Sequence, residues 1–177
     1  MSVTVVFCGL PYAGKTTLAR GVQAALRTHG IRCEVLDVDD FRDALPGVPM
    51  GCRDRAVLSR MVIQFAEVLN RNGLFALVPM TMASSVERGW ARGFLTRSVF
   101  VLCDCPLQEL RRRDTLDLYA MAESGILPDF PGIGQPFESC TDCDVVVDTG
   151  RSSVRAGVAV VLPLLELEEN WPSGRVS

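Results

Sequence analysis

The segment Gly9-Leu10-Pro11-Tyr12-Ala13-Gly14-Lys15-Thr16 matches G-x-x-x-x-G-K-[ST] and lies between an apolar run, Val3–Cys8, and a segment of helical period, Lys15–Thr28. Such a loop works only where a buried strand runs directly into a helix. The glycines let the backbone turn tightly, so that successive N–H groups and the helix N-terminus face an anionic phosphate. The motif therefore predicts a parallel α/β sheet with a nucleoside triphosphate at the strand's C-terminal end, contacted by Gly9, Ala13, Gly14, Lys15, Thr16 and Thr17. Lys15 is expected to reach the β- and γ-phosphate oxygens, and the Thr16 hydroxyl to ligate Mg²⁺. Of 18 basic residues Lys15 is the only lysine. A compact point charge between two phosphates is a task for which a planar guanidinium is ill suited, so keeping the one lysine here is informative.

The rest of the chain alternates in the same way. Strands are predicted at Val3–Cys8, Cys33–Leu36, Leu74–Met80, Ser98–Cys103 and Val145–Asp148, and helices at about Lys15–Thr28, Arg53–Asn72, Ser85–Leu95, Leu107–Ala122 and Val154–Leu167. Alternation of this kind predicts an α/β P-loop NTPase fold, a five-stranded parallel sheet flanked by helices. We expect one domain over residues 1–167 and a frayed polar tail over 168–177. Residues Gly125–Thr141 are rich in Gly and Pro with few periodic apolar positions, which predicts a lid over about 113–141.

Composition removes other classes. The 177 residues carry a formal net charge of −3, with no basic block longer than Arg111-Arg112-Arg113, which argues against a nucleic-acid or membrane footprint and for a small-molecule substrate. A single histidine, His29, and a single lysine leave little material for His-His metal sites, Ser-His-Asp triads or Schiff-base chemistry. His29 precedes Gly30 at the end of the first helix and reads as a helix terminus. Seven cysteines in a chain of this length do not resemble a secreted disulfide framework. With no positively charged leader or spanning apolar run at the start, this predicts a cytoplasmic protein with reduced thiols. Cys103-x-Cys105 and Cys140-x-x-Cys143 suggest zinc by spacing, but read better as buried or incidental thiols.

A phosphate loop alone does not separate kinases from GTPases. A guanine-reading Asn-Lys-x-Asp motif needs a second lysine, which the chain lacks. Leu36-Asp37-Val38-Asp39-Asp40-Phe41-Arg42 places carboxylates at the end of the second strand, the edge where open α/β sheets bind ligands. A carboxylate there could accept a hydroxyl proton and hold Mg²⁺ or its waters. The same acids could instead form a solvated turn in which Asp39 or Asp40 caps the next helix. Arg42 and Arg55, on the segments that follow, could clamp an anion, although Arg55 also suits a helix surface.

With these parts in view the chain resembles the adenylylsulfate kinase family. That family's GLSGAGKTT loop is similar to Gly9–Thr17, and its LDGDNxR segment to Leu36–Arg42. Its long pattern PL-x-x-C-x-x-RD-x-KGLY-x-x-A-x-x-G-x-I-x-x-FTGI-x-x-PYE resembles Pro106–Glu138. There Pro106, Leu107, Arg113, Asp114, Leu118, Tyr119, Ala122, Gly125, Phe130, Gly132, Ile133, Pro136 and Glu138 fall in register without a gap. The resemblance implies phosphoryl transfer from MgATP to the 3′-hydroxyl of adenylylsulfate, with Asp39 catalytic and Asp37 its neighbour. It implies that Arg42 and Arg55 hold the substrate, that Phe130 stacks on its adenine, that Arg113 lies near ATP, and that the protein is a homodimer.

Departures gather on the substrate side. Met50 stands for a second stacking aromatic and Leu58 for an asparagine. Met82-Ala83-Ser84-Ser85 replaces a Ser-Pro-aromatic-Arg segment, with Arg88 as a downstream arginine. Leu116-Asp117 replaces Lys-Gly, and Pro131 replaces a threonine. This pattern leaves a second expectation, a related kinase acting on another nucleotidyl or small-molecule alcohol in a specialised biosynthetic pathway. A non-catalytic nucleotide-dependent regulatory domain would be expected to lose Lys15, Thr16 or the acids Asp37 and Asp39, and all are present.

Overall fold

The computed structural model describes residues 2–44 and 52–165. Met50 and the tail 168–177, both subjects of expectations above, lie outside the described residues. Within them the chain runs β1 (Thr4–Cys8), α1 (Lys15–Thr28), β2 (Cys33–Val35), α2 (Val38–Asp43), α3 (Cys52–Arg71), β3 (Phe75–Pro79), α4 (Ser85–Phe94), β4 (Ser98–Asp104), α5 (Leu107–Arg113), α6 (Leu118–Glu123), β5 (Val145–Asp148) and α7 (Val154–Val161). A 3₁₀ turn, Leu162–Leu165, follows α7.

The five strands form one sheet in the order β2-β3-β1-β4-β5, and every pairing is parallel. β1 is central and every one of its residues is buried. Because side chains alternate across a strand, Val5 and Phe7 enter one core with Leu18, Val22 and Leu26 of α1. Val6 and Cys8 enter the other, with Val62, Ile63 and Ala66 of α3. A strand clothed on both faces has no polar side to show, which is why β1, Thr4 apart, and β3 read as apolar runs. Gly21 lets α1 and α7 approach closely, since a Cβ there would come within 2.7 Å of Val154.

Three helical expectations change. The predicted helix Leu107–Ala122 is two helices, because the Asp114 carboxylate takes the amides of Leu116 (3.2 Å) and Tyr119 (2.8 Å) for itself and Asp117 is left-handed at φ 54°. Local side-chain bonds of this kind compete with the helical ladder. The acidic segment after β2 is a six-residue helix of its own, α2, capped by Asp37 rather than Asp39 or Asp40: its carboxylate accepts the Asp39 amide at 3.0 Å. The last helix ends at Val161 and tightens to 3₁₀ through Pro163, which has no amide to donate. His29 is the C-cap of α1, and Gly30 follows at φ 71°, as expected of that terminus.

Candidate active site

A cavity of about 1230 Å³ opens at the C-terminal edge of the sheet, between the phosphate loop, α2, α3, the β3–α4 connection and the segment 113–135, part of the stretch expected to form a lid. Gly14, Lys15, Thr16, Thr17, Asp37, Asp39, Arg42, Arg55, Arg113 and Phe130 all line it. Gly9 and Ala13 do not. Their amides are used inside the loop and against the sheet, Gly9 N–H to the Thr81 carbonyl (3.3 Å) and Ala13 N–H to the Leu10 carbonyl (3.2 Å). Gly9 is fixed by space as well, since a Cβ there would lie 2.7 Å from the Cys103 carbonyl.

On the phosphate side, Lys15 bends back and its Nζ donates to the Leu10 carbonyl at 2.7 Å. Burial lowers its pKa, and the Asp39 and Asp37 carboxylates nearby only partly offset this. Such an ammonium is short of counter-charge, and a phosphate would supply it. Burial also pushes the flanking Cys8 and Cys103 thiols up to about 12, which keeps both protonated and poorly nucleophilic at neutral pH.

The Thr16 hydroxyl donates to Asp37 Oδ2 at 2.8 Å, which joins the start of α1 to the start of α2. Asp37 is buried, and its other oxygen caps α2. Asp39, two residues further on, is exposed to the cavity and pairs with Arg42 at 2.9 Å. The two acids are thus unlike, one locked in place and the other free to meet a ligand.

Arg113, at the end of α5, donates to Glu109 (2.8 Å) and to the Thr149 carbonyl (2.8 Å), and its guanidinium lies near Gly14. Bonds from Arg112 and Arg113 hold the Glu109 carboxyl down to about 2. Across the cavity Arg55 reaches from α3 to the lid and donates to the Asp129 carbonyl at 2.7 Å. Phe130 is 8% exposed. It packs edge-on against Tyr119 at 4.9 Å, so it anchors the lid in the core while its ring also borders the cavity.

Sequence reasoning missed several contacts that set this geometry. Arg88, read as a substrate-side arginine, is 1% exposed and donates to Asp142 (2.9 Å), the Met82 carbonyl (3.1 Å) and the Ser139 carbonyl (3.0 Å), bolting the lid's return to α4. Glu138 accepts the Ser85 amide at 2.7 Å and donates its own to Ala83 at 2.8 Å. Cys140 and Cys143 are joined by a disulfide, against the expectation of reduced thiols: the turn through Asp142 holds their Cα atoms at 5.4 Å, inside bridging range. Tyr12 sits in the phosphate loop at φ 63°, a conformation that costs a non-glycine residue about 1–2 kcal/mol.

A parallel sheet with a phosphate loop at its central strand, carboxylates on the next strand's end and an arginine-bearing lid defines a P-loop phosphotransferase. The family model for adenylylsulphate kinase matches residues 1–148, and the chain belongs to that family. A probable adenylyl-sulfate kinase of Halalkalibacterium halodurans is 33% identical over 171 residues, 95% of this chain and 82% of the relative. An adenylyl-sulfate kinase of a Synechococcus strain is 36% identical, covering 93% of this chain and 94% of its own. Among solved structures, the Mycobacterium tuberculosis APS kinase in complex with AMPPNP and APS superposes with a TM-score of 0.85 at 32% identity, covering 94% of this chain and 98% of that one. Members of the family are phosphotransferases that act on a hydroxyl group, and ATP is the nucleotide this kinase family uses. No helix among the described residues is long and apolar enough to cross a membrane.

Proposed function

We propose that this protein transfers the γ-phosphoryl group of ATP to the 3′-hydroxyl of adenylylsulfate, giving 3′-phosphoadenylylsulfate and ADP. The observation that carries the reading is the meeting of Lys15, the Thr16–Asp37 pair, and the Asp39–Arg42 pair around one cavity. The loop amides and Lys15 bind the triphosphate. Arg113 is placed to contact the nucleotide from the lid base. Asp39 accepts the hydroxyl proton as the new O–P bond forms and the β–γ bridging P–O bond breaks, its electron pair leaving with ADP. Arg42 and Arg55 bind the acceptor's anionic groups, and Phe130 borders its base. The role given to Met50 rests on sequence alone.

Magnesium fits the residues present. Thr16 and Asp37 are hard oxygen donors already in contact, and Mg²⁺ typically takes one or two protein oxygens and completes its shell with phosphates and water. When bound it would neutralise charge on the phosphates; Thr16 and Asp37 would hold it.

The whole machinery lies within residues 1–167, which we read as one kinase domain with a lid over 113–141, working in the cytoplasm where ATP is supplied. Its partner is a second copy of itself. Val57, Met61, Phe65 and Val68 are exposed along one face of α3, with exposed Asp54 a turn before and Arg71 a turn after. Antiparallel pairing about a two-fold axis would set Val57 against Val68, Met61 against Phe65 and Asp54 against Arg71, a self-complementary stripe as such symmetry requires.

A second acceptor remains in view on one observation: Leu58, buried at the cavity wall where relatives are expected to place an asparagine, offers no polar contact. Coupled ATPase assays with adenylylsulfate and a panel of other small anionic alcohols decide between them. Acceleration by adenylylsulfate supports the first reading, and turnover of another alcohol without it overturns that reading.

A further inference from the structure

The variable positions of the phosphate loop form a docking face for the lid. Three consecutive residues each meet a lid partner. Leu10 packs on Gly132, where a Cβ would come within 2.7 Å of its Cδ2. The Pro11 carbonyl accepts the Tyr119 hydroxyl at 3.1 Å. The Tyr12 ring lies 6.5 Å from that of Tyr119, tilted by 48°, and its hydroxyl interacts with the side chains of Asp114 and Thr115. Asp114 is also the residue that breaks α5 from α6, through its bonds to the amides of Leu116 and Tyr119. Phe130 closes the assembly by packing edge-on against Tyr119.

Tyr12 is the odd member. Its φ of 63° is one that glycine adopts without cost, and in the family loop quoted above that position is glycine. A bulky residue persists in such a conformation only where its surroundings over-determine it. Here those surroundings include the lid base, through the Tyr119 ring. Tyr12 also lines the cavity, beside Gly14, Lys15 and Arg113.

We propose that Tyr12 is a positioning residue that locks the lid base to the phosphate loop, so that Arg113 is held in register over the nucleotide before any acceptor arrives. The proposal deepens the kinase reading and rests on it for the nucleotide, but not for the acceptor. It makes the nucleotide subsite preformed, and makes ATP binding the step that senses this contact.

Tyr12→Phe keeps the ring and removes the hydroxyl; Tyr12→Gly restores an unstrained loop and removes the latch. Losing the hydroxyl's electrostatic interaction with the Asp114 and Thr115 side chains predicts a rise of about three- to tenfold in the dissociation constant for MgADP, and in KM for ATP, in Tyr12→Phe. Tyr12→Gly should show at least as large a rise. KM for the acceptor at saturating ATP should move much less, and amide exchange over 115–131 should quicken. Calorimetric MgADP binding needs no acceptor, so failure of adenylylsulfate turnover would count against the function and not against this contact. Unchanged MgADP affinity in both variants would overturn the proposal. So would a fall in melting temperature and kcat with nucleotide affinity intact, which is the signature of a merely structural tyrosine.

Discussion

Asp37 and Asp39 show how two like residues, two positions apart, are given different tasks. Asp37 has both oxygens committed, one to the Thr16 hydroxyl and one to the first turn of α2, whereas Asp39 faces the cavity paired with Arg42. Asp39→Asn should therefore keep the fold and nucleotide binding and lower kcat by about 10²–10⁴, the usual contribution of a general base. Steady-state rates set beside MgADP affinity check this, and turnover equal to the parent's would remove Asp39 from the reaction. At this scale the sequence was legible where local chemistry suffices. Lys15 and Thr16 follow from loop spacing, and the acids from their place after a strand. Arg88 was not legible, because its meaning lies in Asp142 and Ser139, more than fifty residues away, and nothing local marks an arginine that will be buried.

Among the elements the lid has the most particular construction. Its first end is held by Asp114 and its second by Glu138. Burial pushes the Asp114 carboxyl up, but the amides of Tyr119, Leu118 and Leu116 and the Tyr12 hydroxyl together hold it below its ordinary value. Hydrogen bonds to Ser85 lower Glu138. A carboxyl whose folded pKa is depressed stabilises the fold above its unfolded pKa, and that stabilisation is lost as pH falls through the folded value. Both anchors should therefore hold at neutral pH and through pH 5, and weaken only below about pH 4. Protection factors of the 114–140 amides, corrected for the intrinsic exchange rate at each pH, should fall at pH 3 relative to pH 5 before those of the sheet do; parallel loss of both would contradict it. All five strands and the long helices were readable from periodicity. The break at Asp114–Asp117 was not, since apolar spacing continues through it and only side-chain competition for amides interrupts the helix. The same blindness to short local bonds hid α2.

For the whole molecule, the strand order 2-3-1-4-5 brings segments from both halves of the chain around the end of β1, although alternation alone predicts parallel strands in no particular order. The exposed stripe of α3 belongs to this scale too. Phe65 is 50% exposed, so Phe65→Asp should leave the fold intact and shift a dimer to monomer in sedimentation at micromolar concentration. An unchanged mass would assign the stripe to no self-association. The solitary lysine has a consequence of a different kind. Every other basic side chain is arginine, so reagents that acylate amines find one ε-amino group, itself weakly held in its protonated form and enclosed by the loop that would embrace a triphosphate. The protein thereby carries a built-in occupancy gauge: the fraction of chains acylated at that nitrogen, read by peptide mapping so that α-amino acylation is not counted with it, reports the empty sites.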